Sequence, residues 1–220
     1  SIGKGWQAIL SKLIGDLKNL AMLTLFEEAA ARFARMFRFT PALFATDMHP
    51  DYLSTRYCLQ TIDKHPGTVV TEVQHHHAHI ASCMAEHGLD ETVIGVSLDG
   101  VGYGTDGNTW GFELMTCDLS GFTRRLHPEY IAQPGGDLAT REPWRMAVAY
   151  LVKLFGEDFY DLPVTFLAQE SPDSIQMAVS MVKKGINSPL TCSAGRLFDA
   201  VAALTGICIR SDFHAEAPMR

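Results

Sequence analysis

The sequence predicts an α/β or α+β domain rather than a helical bundle or a β-sandwich. Three observations predict it. Between residues 20 and 98, segments of helical and strand periodicity alternate. A hairpin-like pair of β-rich runs follows at 109–115 and 122–131. Beyond residue 141 the pattern is helical, with breaks at Pro163, Pro172 and Pro189. With 220 residues, 47% of them hydrophobic and 20% charged, the chain can bury roughly 70% of its unfolded surface, as one large domain or two small ones.

The elements follow in order. Leu20, Leu23, Phe26, Ala30, Phe33 and Phe37 recur at three- and four-residue steps and predict a core-covering helix over 20–37. A short buried strand is expected over 41–46, ending at Asp47. Asp51 is placed to N-cap a helix running through Asp63. The β-branched run 68–73 is a second strand, and a helix over about 76–86 ends at His87-Gly88. The third strand, 92–98, feeds a loop from Asp99 to Gly107 that holds four glycines in alternation with other residues. Arg141-Glu142-Pro143-Trp144 opens a helix to about Leu154, with proline at a tolerated early position. Gly195 to Leu204 reads as a last helix, and 209–220 contains no closing strand.

The formal charge of −7 argues against a broad nucleic-acid surface, which needs a basic face. No run of ~18 apolar residues predicts a membrane span, and no signal peptide is visible at the start. Cys58, Cys83, Cys117, Cys192 and Cys208 contain no CxxC pair. They read as buried or free thiols of a reducing, cytoplasmic compartment rather than as a disulfide scaffold.

The sharpest feature is His75-His76-His77-Ala78-His79, which follows a strand and opens a helix. Residues four apart stack on one helix face, so His75 and His79 can ligate one divalent metal. His76 and His77 then point elsewhere, suited to hydrogen bonding or to a phosphate. A surface or capping cluster without metal is the other reading. The pattern is not the metalloprotease HExxH. Spacing identifies no third ligand; Asp47, at another strand end, is a candidate, with turn duty as its other reading, and Asp99 is the second carboxylate to test.

In the glycine run, Gly100, Gly102 and Gly104 let backbone amides approach phosphate oxygens, and Asp99 can orient a metal-bound water or a phosphate. A long hairpin turn is the alternative. Arg141 and Arg145 suit a phosphate or carboxylate, or are surface arginines at a helix start. Gly195 at the last helix start suits an anion and Asp199 a ribose, or the glycine serves close packing.

Several strings, taken together, resemble one family. Thr46-Asp47-Met48-His49-Pro50-Asp51-Tyr52-Leu53-Ser54-Thr55-Arg56 resembles the D-L-H-P-D-Y-L-S-T-R signature of HypF proteins. The segments 73–84, 98–113, 134–146 and 193–205, and Ile14-Gly15-Asp16-Leu17, resemble further HypF motifs in the same order. The resemblance runs from about residue 10 to 208.

It implies part of the C-terminal, TsaD-like transferase domain of a hydrogenase-maturation carbamoyltransferase. The implied fold is actin-like ATPase (ribonuclease H-like), incomplete, with one mixed sheet flanked by helices plus part of a second subdomain. The implied layout is a divergent or non-native start at 1–13, a first subdomain at 14–132, the start of a helical second subdomain at 133–208 and a divergent tail at 209–220. The implied chemistry makes a carbamoyl-adenylate from carbamoyl phosphate and ATP and passes the carbamoyl group to the C-terminal cysteine of a HypE-like partner. By the same resemblance His75 and His79 bind a divalent metal, iron or zinc. Asp99, Gly100, Gly102 and Gly104 match the family's phosphate loop and Gly195 and Asp199 its nucleoside segment. From the residues themselves, Asp99 and His76 are expected to be catalytic and Arg141 to bind phosphate. No nucleic acid or membrane partner is implied.

Three departures stand out. Ser11-Lys12-Leu13 replaces S-Q-H, losing a histidine. The family's N-D-G-G stretch, whose aspartate completes the metal site, lies beyond Arg220. Trp110-Gly111-Phe112-Glu113 replaces W-G-G-E. The expectation is therefore a fragment, inactive alone and lacking the remainder of a HypF-like chain. The alternatives are an inactive metal- or nucleotide-binding remnant and a TsaD-like tRNA threonylcarbamoyl transferase.

Overall fold

A computed structural model describes residues 1–220 except Trp6, Lys12, Leu13, Gly15, Asp16, Lys18, Asp63, Lys64 and Pro66. The expected Ile14-Gly15-Asp16-Leu17 motif and the end of the second helix at Asp63 therefore lie partly outside the described residues. Contacts group the chain into two units, Ser1–Gln74 and His75–Arg220.

The first unit opens with a hairpin that the sequence did not suggest: β1 (Ile2–Lys4) pairs antiparallel with β2 (Gln7–Ile9). Helix α1 (Leu20–Phe37) has the expected bounds. Asn19 caps its first turn by accepting from Met22 N, and Lys4 Nζ donates to Phe37 O at the negative end of the helix dipole. β3 (Leu43–Asp47) and β4 (Val69–Val73) pair in parallel, Leu43 opposite Val69, with α2 (Leu53–Ile62) as the crossover. Phe26 of α1 meets Tyr57 of α2 edge-on at 5.1 Å. Asp51 does not cap α2: its carboxylate pairs with Arg56, and the first turn closes on the Tyr52 carbonyl. An Asp beside an arginine four or five residues on has a competing partner that the amide spacing does not reveal.

The second unit begins with α3 (His75–His87) and a five-stranded mixed sheet. β5 (Val93–Tyr103) pairs antiparallel with β6 (Thr109–Cys117). β6 pairs at one end with β7 (Phe122–Leu126), antiparallel, and at the other with β9 (Leu190–Thr191), parallel; β8 (Ile131–Ala132) completes the order beside β9. The single strand expected over 122–131 is split, because Pro128 has no N–H for the ladder. The boundary expected near residue 132 falls within this unit, whose sheet takes β9 from beyond it.

Helices α4 (Trp144–Phe155), α5 (Thr165–Gln169), α6 (Pro172–Lys184), α7 (Ala194–Leu204) and α8 (Glu216–Met219) follow, with short 3-10 turns at 136–140 and 158–161. α6 starts where Ser171 caps and Pro172 occupies the first turn; it stops at Gly185 with φ 64°. Trp144, Val148, Phe159, Phe166, Ile175, Ala178 and Ala203 form the main core, and α3 packs Ile80 and Met84 onto Trp110, Met115 and Cys117 of the sheet. A Cβ at Gly95 would lie 2.3 Å from Ile80 Cδ1, so that glycine seats α3 on the sheet.

Candidate metal centre

The expected loop from Asp99 to Gly107 is a strand for half its length. β5 continues to Tyr103, and its register with β6 jumps between Leu98, opposite Phe112, and Gly102, opposite Trp110. Asp99, Gly100 and Val101 thus oppose Gly111 alone, a β-bulge that swings Asp99 out of the ladder. Contacts from behind hold the bulge. Ser193, the cap of α7, donates its hydroxyl to the carbonyls of Asp99 and Gly100 at 2.9 and 2.8 Å. A Cβ at Gly111 would lie 2.7 Å from the Asp99 carbonyl oxygen, and one at Gly195 would lie 2.9 Å from Gly100 Cα. Gly195 therefore packs helix against strand. Phe112, where a second glycine was expected, sits opposite Leu98, so the close approach falls on Gly111 and survives the departure.

The bulge delivers Asp99 to the histidines. His75 and His79 lie one turn apart on α3, their Nε2 atoms 3.2 Å from each other. Asp99 Oδ2 is 3.0 Å from His75 Nε2 and 3.6 Å from His79 Nε2. His76, expected to point elsewhere, comes within 3.7 Å of the same oxygen. A Cβ at Gly102 would lie 2.4 Å from His76 Cε1 and 2.9 Å from His75 Cδ2, so both rings rest on bare backbone there. His77 does turn away: its Nε2 meets the Asp118 carbonyl at 2.7 Å and its ring packs on Phe122.

Burial and charge divide the roles. His76 is fully buried. Burial first, then His75, lower its pKa to about 4 against the pull of Asp99 and Glu113, so the ring is neutral at pH 7. Burial opposes ionisation of Asp99, but the close His75 ring and the Gly100 N–H bond prevail and hold it at about 2. Asp99 Oδ2 is nevertheless buried without an aligned hydrogen bond. Its nearest charged or ring neighbour is His75 Nε2 at 3.0 Å.

The donor set fits a divalent metal. Ligand atoms ~2.0–2.2 Å from one ion stand ~2.9–3.6 Å from one another. The three pairs here span 3.0 to 3.6 Å. His75, His79 and Asp99 form a metal-capable cluster of the described residues. The carboxylate that joins the two histidines is Asp99, which the sequence offered for a metal-bound water or phosphate and, beside Asp47, as a third ligand. Asp47, the alternative, belongs to the other unit, where its carboxylate accepts from His49 N at 2.8 Å.

The remaining expected residues are placed as follows. Gly104 permits the approach of Trp110, whose Nε1 would lie 2.1 Å from a Cβ there. Gly100 faces Arg196. Asp199 is buried 3.0 Å from Arg196 Nε, and burial pushes its carboxyl up to about 6 although Arg196 pulls it down. Arg141 is exposed past the 136–140 turn; among the described residues its side chain makes no hydrogen bond or ion pair, while its carbonyl accepts from Ser211 N. Sequence reasoning missed Ser193, Arg196, Asp106 and Arg124. Ser193 and Arg196 sat within a motif already singled out; Arg124 carried no signal.

A family model described as "Carbamoyltransferase, Kae1-like Domain, second subdomain" matches residues 95–220, and one described as "HypF Kae1-like domain" matches 1–86. The chain belongs to the HypF carbamoyltransferase family. It is 41% identical over 217 residues to carbamoyltransferase HypF2 of Cupriavidus necator, covering 98% of this chain and 26% of that one. It is 39% identical to carbamoyltransferase HypF of Rhodobacter capsulatus, covering 99% and 29%. A crystal structure of full-length HypF in the phosphate- and nucleotide-bound form superposes with TM-score 0.85 at 42% identity, over 94% of this chain and 26% of that one. HypF from T. kodakarensis gives 0.83 at 35% identity, over 94% and 28%. The chain therefore spans about a quarter of the length of these relatives. The mixed sheet flanked by helices is the fold expected of this family's Kae1-like, ribonuclease H-like domain. No described helix is long and apolar enough to cross a membrane.

Proposed function

We propose that this chain is the carbamoyl-transfer portion of a HypF-type enzyme of hydrogenase maturation. In this reading a carbamoyl-adenylate, made from carbamoyl phosphate and ATP, passes its carbamoyl group to the C-terminal cysteine of a HypE-like partner. The observation that carries it is the convergence of His75, His79 and Asp99 at a strand bulge in a chain of this family. No cysteine of this chain is needed as nucleophile, because the thiolate comes from the partner. Cys192, the cysteine nearest the bulge-holding Ser193, is buried with its thiol pushed up to about 12, chiefly by burial and then by Glu113.

His75, His79 and Asp99 would hold iron or zinc, which supplies Lewis-acid polarisation of a carbamoyl or phosphoryl oxygen. The chain's own residues do the rest. Asp99, ionised throughout the physiological range, keeps the two imidazoles convergent. His76, a neutral ring with pKa about 4, is too weak a base to store a proton at pH 7; its part is hydrogen bonding and orientation beside Asp99. Gly102 and Gly104 make room for His76 and Trp110, so of the three glycines Gly100, beside the Arg196 guanidinium, is the one that would face a phosphate, and the capped start of α7 would be the nucleoside side. The partner's sulfur bonds to the carbamoyl carbon as the bond from that carbon to the adenylate oxygen breaks, and AMP departs with the electron pair.

The test uses the intact protein with ATP, carbamoyl phosphate and a HypE-like partner, measuring carbamoyl groups on the partner's terminal thiol. His75→Ala and His79→Ala should each lose at least about a hundredfold in transfer and lose stoichiometric metal, since they remove a ligand outright. Wild-type transfer in both variants would overturn the reading.

A further inference from the structure

Behind the histidine–aspartate group lies a buried polar assembly that the proposed chemistry does not use. Glu113 on β6 is wholly buried. Its carboxylate receives the Arg124 guanidinium at two points, Nε to Oε2 at 2.5 Å and NH2 to Oε1 at 3.1 Å, the forked pairing particular to arginine. Glu113 Oε1 also accepts from Gly111 N at 3.1 Å and from Cys192 Sγ at 3.2 Å. So anchored, Arg124 lies 3.7 Å from the centroid of the Trp110 ring and donates to Tyr130 Oη at 2.9 Å. Asp106 closes the circuit, accepting from Trp110 Nε1 at 2.9 Å and from Tyr130 Oη at 2.5 Å. Trp110 in turn stacks on His76, with centroids 6.4 Å apart and planes 25° apart.

Such an arrangement is a poor device for stability. Glu113 loses its hydration wholly and the half-buried Arg124 much of its own, and an apolar pair of the same volume commonly packs as well. What the fork does supply is direction, since both partners have one productive geometry. Here that geometry sets the plane of Trp110. The indole meets His76, and His76 shares the bare backbone of Gly102 with His75. Asp106 ties the 104–108 turn to the same indole, so one clamp fixes the turn at the end of β5 and the ring stack under the bulge.

We propose that Arg124 is a positioning residue for the histidine–aspartate group, acting through Trp110 on His76 and the Gly102 backbone. The proposal rests on the reading above for its metal, but not for its geometry, and the test separates the two. In the intact protein, Arg124→Met, Arg124→Lys and the charge-free double variant Glu113→Leu/Arg124→Met are titrated with Co2+, following both affinity and the visible absorption of the bound ion. Arg124→Met leaves Glu113 buried without its partner and reports the combined loss. The double variant removes that penalty, and its thermal midpoint shows whether the fold is intact.

The expected result is a folded double variant that binds Co2+ at least tenfold more weakly, with an altered absorption band. Arg124→Lys, which keeps charge without the fork, should fall between it and wild type. A folded double variant with wild-type affinity and spectrum overturns the proposal. Tyr130→Phe, at the half-buried rim, keeps the question open to test if the double variant does not fold. Its expected loss is about two- to threefold with the band shifted, and an unchanged band overturns the proposal. Imidazole Cε1–H resonances recorded without metal report the rings whether or not the site takes an ion. Shifts at His75 and His76 support positioning even if wild type binds no Co2+, which would defeat only the metal reading. Unmoved resonances in a folded variant overturn positioning even if Co2+ binds.

Discussion

The two units reach order by different means. In Ser1–Gln74 no residue of the 18-residue helix α1 is fully buried, and among the described residues the longer sheet element is a two-strand parallel pair with Leu43 and Val69 each 55% exposed. The four buried apolar clusters of the described residues lie in His75–Arg220. Secondary structure in the first unit thus rests on local signals: the Asn19 cap, the periodic stripe of α1 and the β-branched run of β4. In the second it rests on packing, with whole side chains such as Trp144, Phe159 and Phe166 out of water. Local propensity is enough to draw an element; it contributes little stability unless a face is buried. The candidate centre belongs to the unit with the core, where a rigid frame can hold ligand atoms to within tenths of an ångström.

Hydrogen exchange makes the sharpest test of that contrast. Amides in the middle of α1 should exchange on the order of a thousandfold faster than those of α4, because opening α1 exposes almost no core. Equal protection would mean that the first unit is stabilised as strongly as the second. A smaller but more local effect comes from truncation. Phe166→Ala should cost about 3–5 kcal/mol in denaturant unfolding, as for other fully buried aromatics. Leu23→Ala, half-buried on α1, should cost under about 1 kcal/mol. Comparable losses would break the comparison.

The smallest effect separates structure from charge within the second unit. Burial opposes ionisation of Asp106, but hydrogen bonds from Tyr130, Asn108 N and Trp110 prevail and hold it at about 2, below its ordinary 3.8. A carboxyl depressed on folding adds stability above its unfolded pKa and loses it as pH falls through the folded value. Asp106→Asn should therefore be less stable than wild type at pH 7, by under about 1 kcal/mol for so exposed a side chain. The gap should narrow between pH 4 and 2. A gap independent of pH in unfolding curves would assign Asp106 a purely steric part.

Much of the candidate site was legible in the chain. The i, i+4 spacing of His75 and His79 needed only helical geometry to become a pair on one face, and the glycine run announced a place where backbone comes close to something else. What it comes close to was not legible. Gly102 yields to two histidine rings and Gly104 to an indole, contacts between segments that no local pattern relates. The chain offered Asp47 and Asp99 as third donors with no way to choose between them, because a bulge is a property of two paired strands. Read along β5 alone, Asp99 ends a strand and begins a loop. Read against β6, it is one of three residues facing Gly111. Arg124 was invisible for a related reason: on a short strand of mixed character, an arginine looks solvated until Glu113 and Trp110 are known to lie beneath it.

The sequence by itself determined the alternation of elements, the bounds of α1 and α7 within a residue, the end of α4, the histidine pair and the family. Those follow from periodicity, caps and motif order, which are local in the chain. Tertiary structure alone decided which carboxylate joins the histidines, that His76 turns toward them and that Arg124 lies over the Trp110 ring. Each depends on distances between residues far apart in sequence, and those distances exist only once the sheet has paired and α3 and α7 have packed against it.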